Sequence, residues 1–351
     1  MKLDQDLWVV NVVPHAIPRE DEVPTVHLSE FRRLVSLWRK HIHTTRSSPS
    51  TVQKFVEEAS RLESALKVLG TDRILLTEGF ATPPKHLVTG EEVRFPDANF
   101  HRFFGMVPSF PALFSLGLTG ENVFDTRVQS PEADNYFTVY NPYFGRKVAL
   151  AGLTPDDASL DVVDYVYSQV DAHETRKFVI KGTASKTFID TVTVPAGASY
   201  DEVESLVHAA LGWHAAKIDG RSNSLFVQEW VEMEYEYRFF VVDHKIVTGA
   251  GMIHENTPLD NRTTLDIAVR RDVHGESSST EDDEMLVQQY RKFANNVIHE
   301  TKVSDSDISC YTLDVATVNG LPVVVERNSL LNSGFFASSP SLVLEALVLL
   351  H

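Results

Sequence analysis

The apolar positions of this chain change period several times, and each change marks an element. WVVNVV, Trp8 to Val13, is an apolar run interrupted at Asn11 that reads as an opening strand. From Ser29 to His43, and again from Val52 to Leu69, apolar residues recur every three to four positions, the spacing of one helical face. A Ser/Thr/Pro linker, Thr44 to Thr51, separates the two helices. ILLTEGF at 74–80 returns to a strand pattern. FHRFFGMVPSFPALFSLG is aromatic and broken by proline, and predicts packed irregular structure. Further on, KFVIK predicts a strand ending at Lys181, and Asp201 to Leu211 a helix. A strand from Leu225 reaches Gln228-Glu229-Trp230-Val231. Tyr235 to Val242 is a second strand, turning at Asp243-His244 into a third, Lys245 to Gly249. HGESSSTEDDE, His274 to Glu284, reads as a polar acidic loop. Leu286, Tyr290, Phe293 and Val297 then lie on one face of a helix over Met285 to Ile298. Near the end, two apolar runs flank Asn319-Gly320, the short-range sign of a hairpin. SLVLEALVLLH closes the chain as a core helix.

The hairpin carries chemistry. YTLDVATVNGLPVVVERNSLLNSG places Asp314, Glu326 and Asn328 on its two strands. Oxygen ligands converging from neighbouring strands suit a hard cation, and Mg²⁺ above Ca²⁺, because Mg²⁺ takes few carboxylates and fills its shell with waters and phosphates. A surface hairpin with solvated acids is the competing reading. Register separates the two. Glu326 and Asn328, two apart, share a face. A two-residue loop pairs Val318 with Leu321, sets Asp314 opposite Val325 and turns Glu326 away. A three-residue loop, Asn319 to Leu321 with Gly320 left-handed, sets Asp314 opposite Glu326. A shared metal therefore predicts the three-residue loop or a bulged ladder.

Two further segments add charge. Lys181 ends a strand and leads into Gly182-Thr183-Ala184-Ser185-Lys186, small residues whose backbone amides could approach an anion. The spacing is not that of a Walker-type loop. With no ligand present, Lys181 is expected to meet solvent. In the 235–242 strand Glu236, Arg238 and Phe240 share a face. A Glu and an Arg so placed also read as a plain ion pair.

In chain order these segments resemble the ATP-grasp superfamily over roughly residues 140 to 340. The matching parts are Lys181 with its small-residue loop, Gln228 to Val231, Glu236-Tyr237-Arg238, and Asp314 with Glu326-Arg327-Asn328. Where that family often has Pro or another small residue after the Asn, this chain has Ser329. The resemblance implies an α/β (α+β) ATP-grasp fold, two α+β subdomains clasping ATP, preceded by an N-terminal α/β domain. Its bounds here would be 1–140 for the N-terminal domain, 141–230 for the lid and 231–351 for the larger half. It implies that Lys181 contacts phosphates, assisted by Ser185, Lys186 and Lys147. Gln228, Glu229, Trp230 and Val231 would line the adenine pocket, with the backbone of Glu229 and Val231 reading the base edge. Glu232 or Glu234 would accept from the ribose. Asp314, Glu326 and Asn328 would hold one or two Mg²⁺ ions, Arg238 would face the γ-phosphate, and Arg270 or Arg271 would stand before the metal strands. The implied reaction is an ATP-dependent carboxylate–amine ligation through an acyl phosphate, releasing ADP and phosphate. A small-molecule kinase on the same fold, or a nucleotide-binding protein without turnover, is the alternative.

Composition narrows the partners. The chain has 351 residues and a formal charge of −17, from 49 acids and 32 bases. A broad acidic surface repels nucleic-acid backbone, so no nucleic-acid partner is expected. The expected partners are a small carboxylate and an amine, amino acids or a peptide among them, and a homo-oligomer is compatible with the sequence. No apolar run reaches a spanning length, and the N-terminus lacks the pattern of a secretory signal. One cysteine, Cys310, excludes an internal disulfide. A cytoplasmic protein without a membrane partner is the expectation.

Overall fold

The computed structural model describes residues 7–44, 50–79, 83–93, 102–105, 139–151, 155–182, 189–212, 225–271, 279–304, 308–330 and 333–350. In chain order the elements are β1 (Trp8–Val12), α1 (Leu28–His41), α2 (Val52–Leu69), β2 (Ile74–Glu78), β3 (Lys85–His86), β4 (Phe103–Phe104), β5 (Val148–Ala151) and α3 (Pro155–Ser168). There follow β6 (Arg176–Gly182), β7 (Ile189–Val194), α4 (Tyr200–Gly212), β8 (Leu225–Glu229), β9 (Glu234–Val242), β10 (Lys245–Gly251) and β11 (Ala268–Arg270). The last are β12 (Thr280–Asp282), α5 (Glu284–Thr301), β13 (Tyr311–Val318), β14 (Leu321–Ser329) and α6 (Pro340–Leu349). The α+β architecture expected from the sequence is present.

The chain divides into two compact units. The first comprises 1–130, 234–316 and 327–351; the second comprises 131–233 and the hairpin tip, 317–326. In the first unit, β1 pairs in parallel with β2 and β4, in the order β3-β2-β1-β4. Strands that pair in parallel need a crossover, and α1 and α2 supply it between β1 and β2. Trp8, Val10 and Val12 pack with Phe31, Trp38, Phe55, Leu62, Leu344 and Leu347 in one apolar core. Thr51 caps α2, its hydroxyl accepting the amide of Lys54. A second sheet runs β10-β9-β13-β14. The acidic 274–284 stretch is not all loop. Thr280–Asp282 pairs antiparallel with β11, and residues 272–278 lie outside the described set.

The second unit is a sheet in the order β5-β8-β6-β7, every pair antiparallel. Its core is Phe178 and Ile180 of β6 with Val162, Val163 and Val166 of α3 and Val203, Val207 and Leu211 of α4.

Between β13 and β14, Asn319 and Gly320 have φ of 51° and 77°. Two successive positive-φ residues make the two-residue turn that suits strand twist. The three-residue loop is therefore not formed. A regular ladder from this turn would put Asn328 and Asp314 on opposite faces, and likewise Arg327 and Tyr311. Instead Asn328 Nδ2 donates to Asp314 Oδ2 at 3.1 Å, and the Arg327 guanidinium carbon stands 5.3 Å from the Tyr311 ring centre. Both contacts imply a one-residue slip along the ladder, the bulged alternative.

Candidate active site

In the first unit the strand containing Glu236 and Arg238 lies beside β13. Arg238 donates from Nε to Asp314 Oδ1 and from Nη2 to Asp314 Oδ2, each at 2.7 Å. The Asp314 side chain is fully buried and that of Arg238 is 8% exposed. Planar guanidinium and carboxylate match in this two-bond geometry, the strong form of an ion pair. Asn328 adds its Nδ2 bond to Oδ2. Arg238 Nη1 also donates to the Gly334 carbonyl at 3.4 Å, and its guanidinium carbon lies 5.5 Å from the Phe336 ring centre. Asp314 thus serves Arg238 as counter-ion, and a metal at Asp314 would have to share oxygens already bonded to a cation.

Ser333 supports the same strands from behind. Its hydroxyl donates to the Ser329 carbonyl at 2.9 Å and pairs with the Thr312 hydroxyl at 2.8 Å. This buried bond joins β13 to the segment after β14. His254 is exposed, its ring centre 6.1 Å from that of Phe336.

In the second unit Lys181 does not simply meet solvent. Its Nζ donates to Glu326 Oε2 at 3.1 Å and stands 5.7 Å from the Phe226 ring centre. The side chains are 20% and 33% exposed. A half-buried lysine needs such an anion, because burial penalises an unpaired charge. The missed residue here is Arg146. Its Nε donates to Gln228 Oε1 at 2.9 Å, its Nη1 to the carbonyls of Phe144 and Val324 at 3.0 and 3.2 Å, and its Nη2 to the Val325 carbonyl at 2.9 Å. One guanidinium therefore joins β8 to the strand that carries Glu326. The neighbouring Lys147, the sequence candidate, is exposed on a different contact, donating to Gln169 Oε1 at 2.8 Å.

The remaining candidates are placed as follows. Gln228 is buried under Arg146. The Glu229 amide donates to the Lys147 carbonyl at 2.9 Å, a bond within the sheet. The Trp230 amide donates to the Lys177 carbonyl at 2.9 Å, and Lys177 Nζ lies 3.7 Å from the Trp230 ring centre, a close cation–π contact. Val231 is half-buried and Glu232 exposed. Glu234 Oε1 is 3.9 Å from Arg271 Nε, both exposed. Arg270 is half-buried on β11, opposite Thr280. Ser185 and Lys186 lie outside the described residues.

Three buried groups show how this protein shifts acidity. Burial holds the Tyr237 hydroxyl well above its ordinary value, and it donates to the Asp266 carbonyl at 2.7 Å. Burial pushes Asp266 up to about 6, Asp260 and Asp282 adding to the rise while the amides of Ala268 and Ile267 oppose it. Glu57 is raised by burial against the pull of Arg61. Among the described residues, no group of three or more His, Cys, Asp or Glu is arranged to hold a metal. No described helix is long and apolar enough to cross a membrane.

No family model matches the sequence, and no curated protein does. Solved structures do. One is D-alanyl-alanine synthetase A from Vibrio cholerae, with 11% identity over 97% of this chain and 94% of that one, TM-score 0.44. Another is the ATP-grasp ligase PsnB complexed with minimal precursor, 11% identical over 99% of both chains, TM-score 0.46. A third is a RimK domain protein ATP-grasp from Sphaerobacter thermophilus, 10% identical over 98% of this chain and 100% of that one, TM-score 0.46. The chain is similar to ATP-grasp ligases across nearly its whole length, at identities that leave its own reaction to be argued from its residues.

Proposed function

We propose that this protein is an ATP-dependent ligase that activates a carboxylate as an acyl phosphate for attack by an amine, releasing ADP and phosphate. The observation that carries the reading is the buried Arg238–Asp314 pair with Asn328 bonded to the same carboxylate. It draws the Glu-x-Arg strand, the Asp strand and the Glu-x-Asn strand to one point, and a plain surface hairpin has no use for such a cluster.

A carboxylate resists an amine because it is a poor electrophile. Phosphoryl transfer to it spreads negative charge over non-bridging oxygens, and fixed cations lower that barrier. Arg238 is held rigidly enough to face such a charge without reorganising. Lys181 would exchange its Glu326 contact for a phosphate. Glu326 and Asn328, two apart on one strand, offer hard oxygen donors of the kind Mg²⁺ takes together with phosphates. Asp314 would act through Arg238 rather than as a direct ligand. The metal, when bound, would neutralise charge on the transferring group. Lys177 over Trp230 packs the chain just after β8, where the base would lie.

The test is ADP release with Mg²⁺-ATP and pooled amino acids or peptides, followed by hydroxylamine trapping. A hydroxamate formed with ADP release supports the ligase. ADP release with a phosphorylated alcohol and no hydroxamate indicates a kinase instead. Nucleotide binding without ADP release under any acceptor pool overturns both.

A further inference from the structure

The segment following β14 donates two of its backbone amides to one buried carboxylate on a helix far away in sequence. Glu57, on α2, is 9% exposed. Its Oε1 accepts the Phe336 amide at 2.9 Å and the Gln53 side-chain amide at 2.9 Å, and its Oε2 accepts the Phe335 amide at 3.4 Å. Phe336 sits at φ 49°, a left-handed conformation that a phenylalanine adopts only when its surroundings impose it. The residue before this pair, Gly334, gives its carbonyl to Arg238, and the Phe336 ring lies beside the Arg238 guanidinium. A β-carbon at Gly334 would come 3.6 Å from Glu57 Oε2. Of the Arg238 contacts described above, the one to Asp314 comes from a strand of the sheet. Those to Gly334 and Phe336 come from a segment whose amides are fixed by Glu57.

A glutamate buried in a helix is costly unless its oxygens have partners. Arg61 and Gln53 favour its ionised form and Glu58 opposes it, and Arg61 is itself paired with Glu58. The stacked rings of Phe240 and Phe335, centres 4.6 Å apart, would by themselves hold Phe335 against β9. They give no reason for a carboxylate beneath the next amide. We propose that Glu57 is a positioning residue for Arg238: it fixes the backbone at 334–336, and with it the guanidinium that faces the transferring phosphoryl group. This rests on the functional reading above, which supplies the reaction.

The experiment compares E57A, E57Q and E57D in the full chain. It reads amide hydrogen exchange at Phe335 and Phe336, affinity for Mg²⁺ with a non-hydrolysable ATP analogue, and kcat for ATP turnover per folded molecule. E57A should speed exchange of both amides and lower kcat by about tenfold or more, with analogue affinity within about threefold of wild type. E57Q keeps a carbonyl acceptor for Phe336 and should return kcat to within about threefold. E57D withdraws the acceptor by one methylene while keeping the carboxyl group. It should fall between the two, and decides the matter if E57A does not fold. Unchanged kcat in every folded variant, or loss that only tracks the unfolded fraction, overturns the proposal. So does unaltered exchange at both amides. A wild-type protein without ATP turnover would instead sink the functional reading, while the exchange measurement still decides whether Glu57 anchors the segment.

Discussion

Removing one charge from the Arg238–Asp314 pair strands the other in the core. Asp314→Asn should therefore destabilise the protein by about 3–5 kcal/mol, read by denaturant unfolding, because the guanidinium is left buried without its anion. The double variant R238M/D314L should recover much of that stability and have no ATP turnover. If it unfolds as readily as the single variant, packing rather than charge dominates this position. Asp266 behaves differently. Its Oδ2 is buried without a hydrogen-bond partner. Its folded pKa, about 6, lies above the ordinary 3.8. The native state therefore holds the extra proton between those values, and stability falls as pH rises through that window. Above pH 6 the full burden of a buried charge is present. Asp266→Asn should raise stability there by about 1–2 kcal/mol, with no gain below pH 4, in melts across that range. An equal gain at every pH would show that titration of Asp266 is not the cause.

Turn and strand geometry make the next prediction at the scale of elements. A β-carbon at Gly320 would meet nothing within 4 Å, so space does not constrain it; its φ of 77° does. Gly320→Val should cost on the order of 1–3 kcal/mol, while Gly320→Asn, which tolerates positive φ, should cost a fraction of that. Equal melting of the two variants would mean that the turn does not hold this conformation. The hairpin was legible because Asn-Gly between apolar runs is a local signal. Its ladder was legible only as two alternatives, a three-residue loop or a bulge, since the choice depends on which side chains the neighbouring strand can accept. β1, α1, α2, β9 and β10 were likewise readable from period alone. α3 was missed because its Asp-rich first turns mask the apolar Val162, Val163 and Val166, and β12 because Thr-Glu-Asp has no apolar pattern. Arg146 carries no motif; four bonds, two of them to carbonyls 178 and 179 residues away, give it meaning. The apolar period of α2 says nothing about Glu57, Glu58 and Arg61, yet all three are buried.

At the scale of the whole molecule, the chain passes from the first unit to the second and back, then lends the hairpin tip to the second before returning. Each unit has its own core, and in each the cation assigned to phosphate is held by a carboxylate: Arg238 by Asp314, Lys181 by Glu326. Those pairings have a kinetic consequence. Self-neutralised pairs present little field to an approaching polyanion, while the chain as a whole carries a charge of −17. Diffusional encounter with Mg²⁺-ATP should then be repulsive at long range. Salt shortens that range, with a Debye length of about 10 Å at 0.1 M. The association rate in stopped flow should rise as ionic strength increases from low values, the reverse of what an exposed basic cleft would give. A rate that falls steeply with added salt would mean that an attractive basic field, not the paired cations, governs the approach.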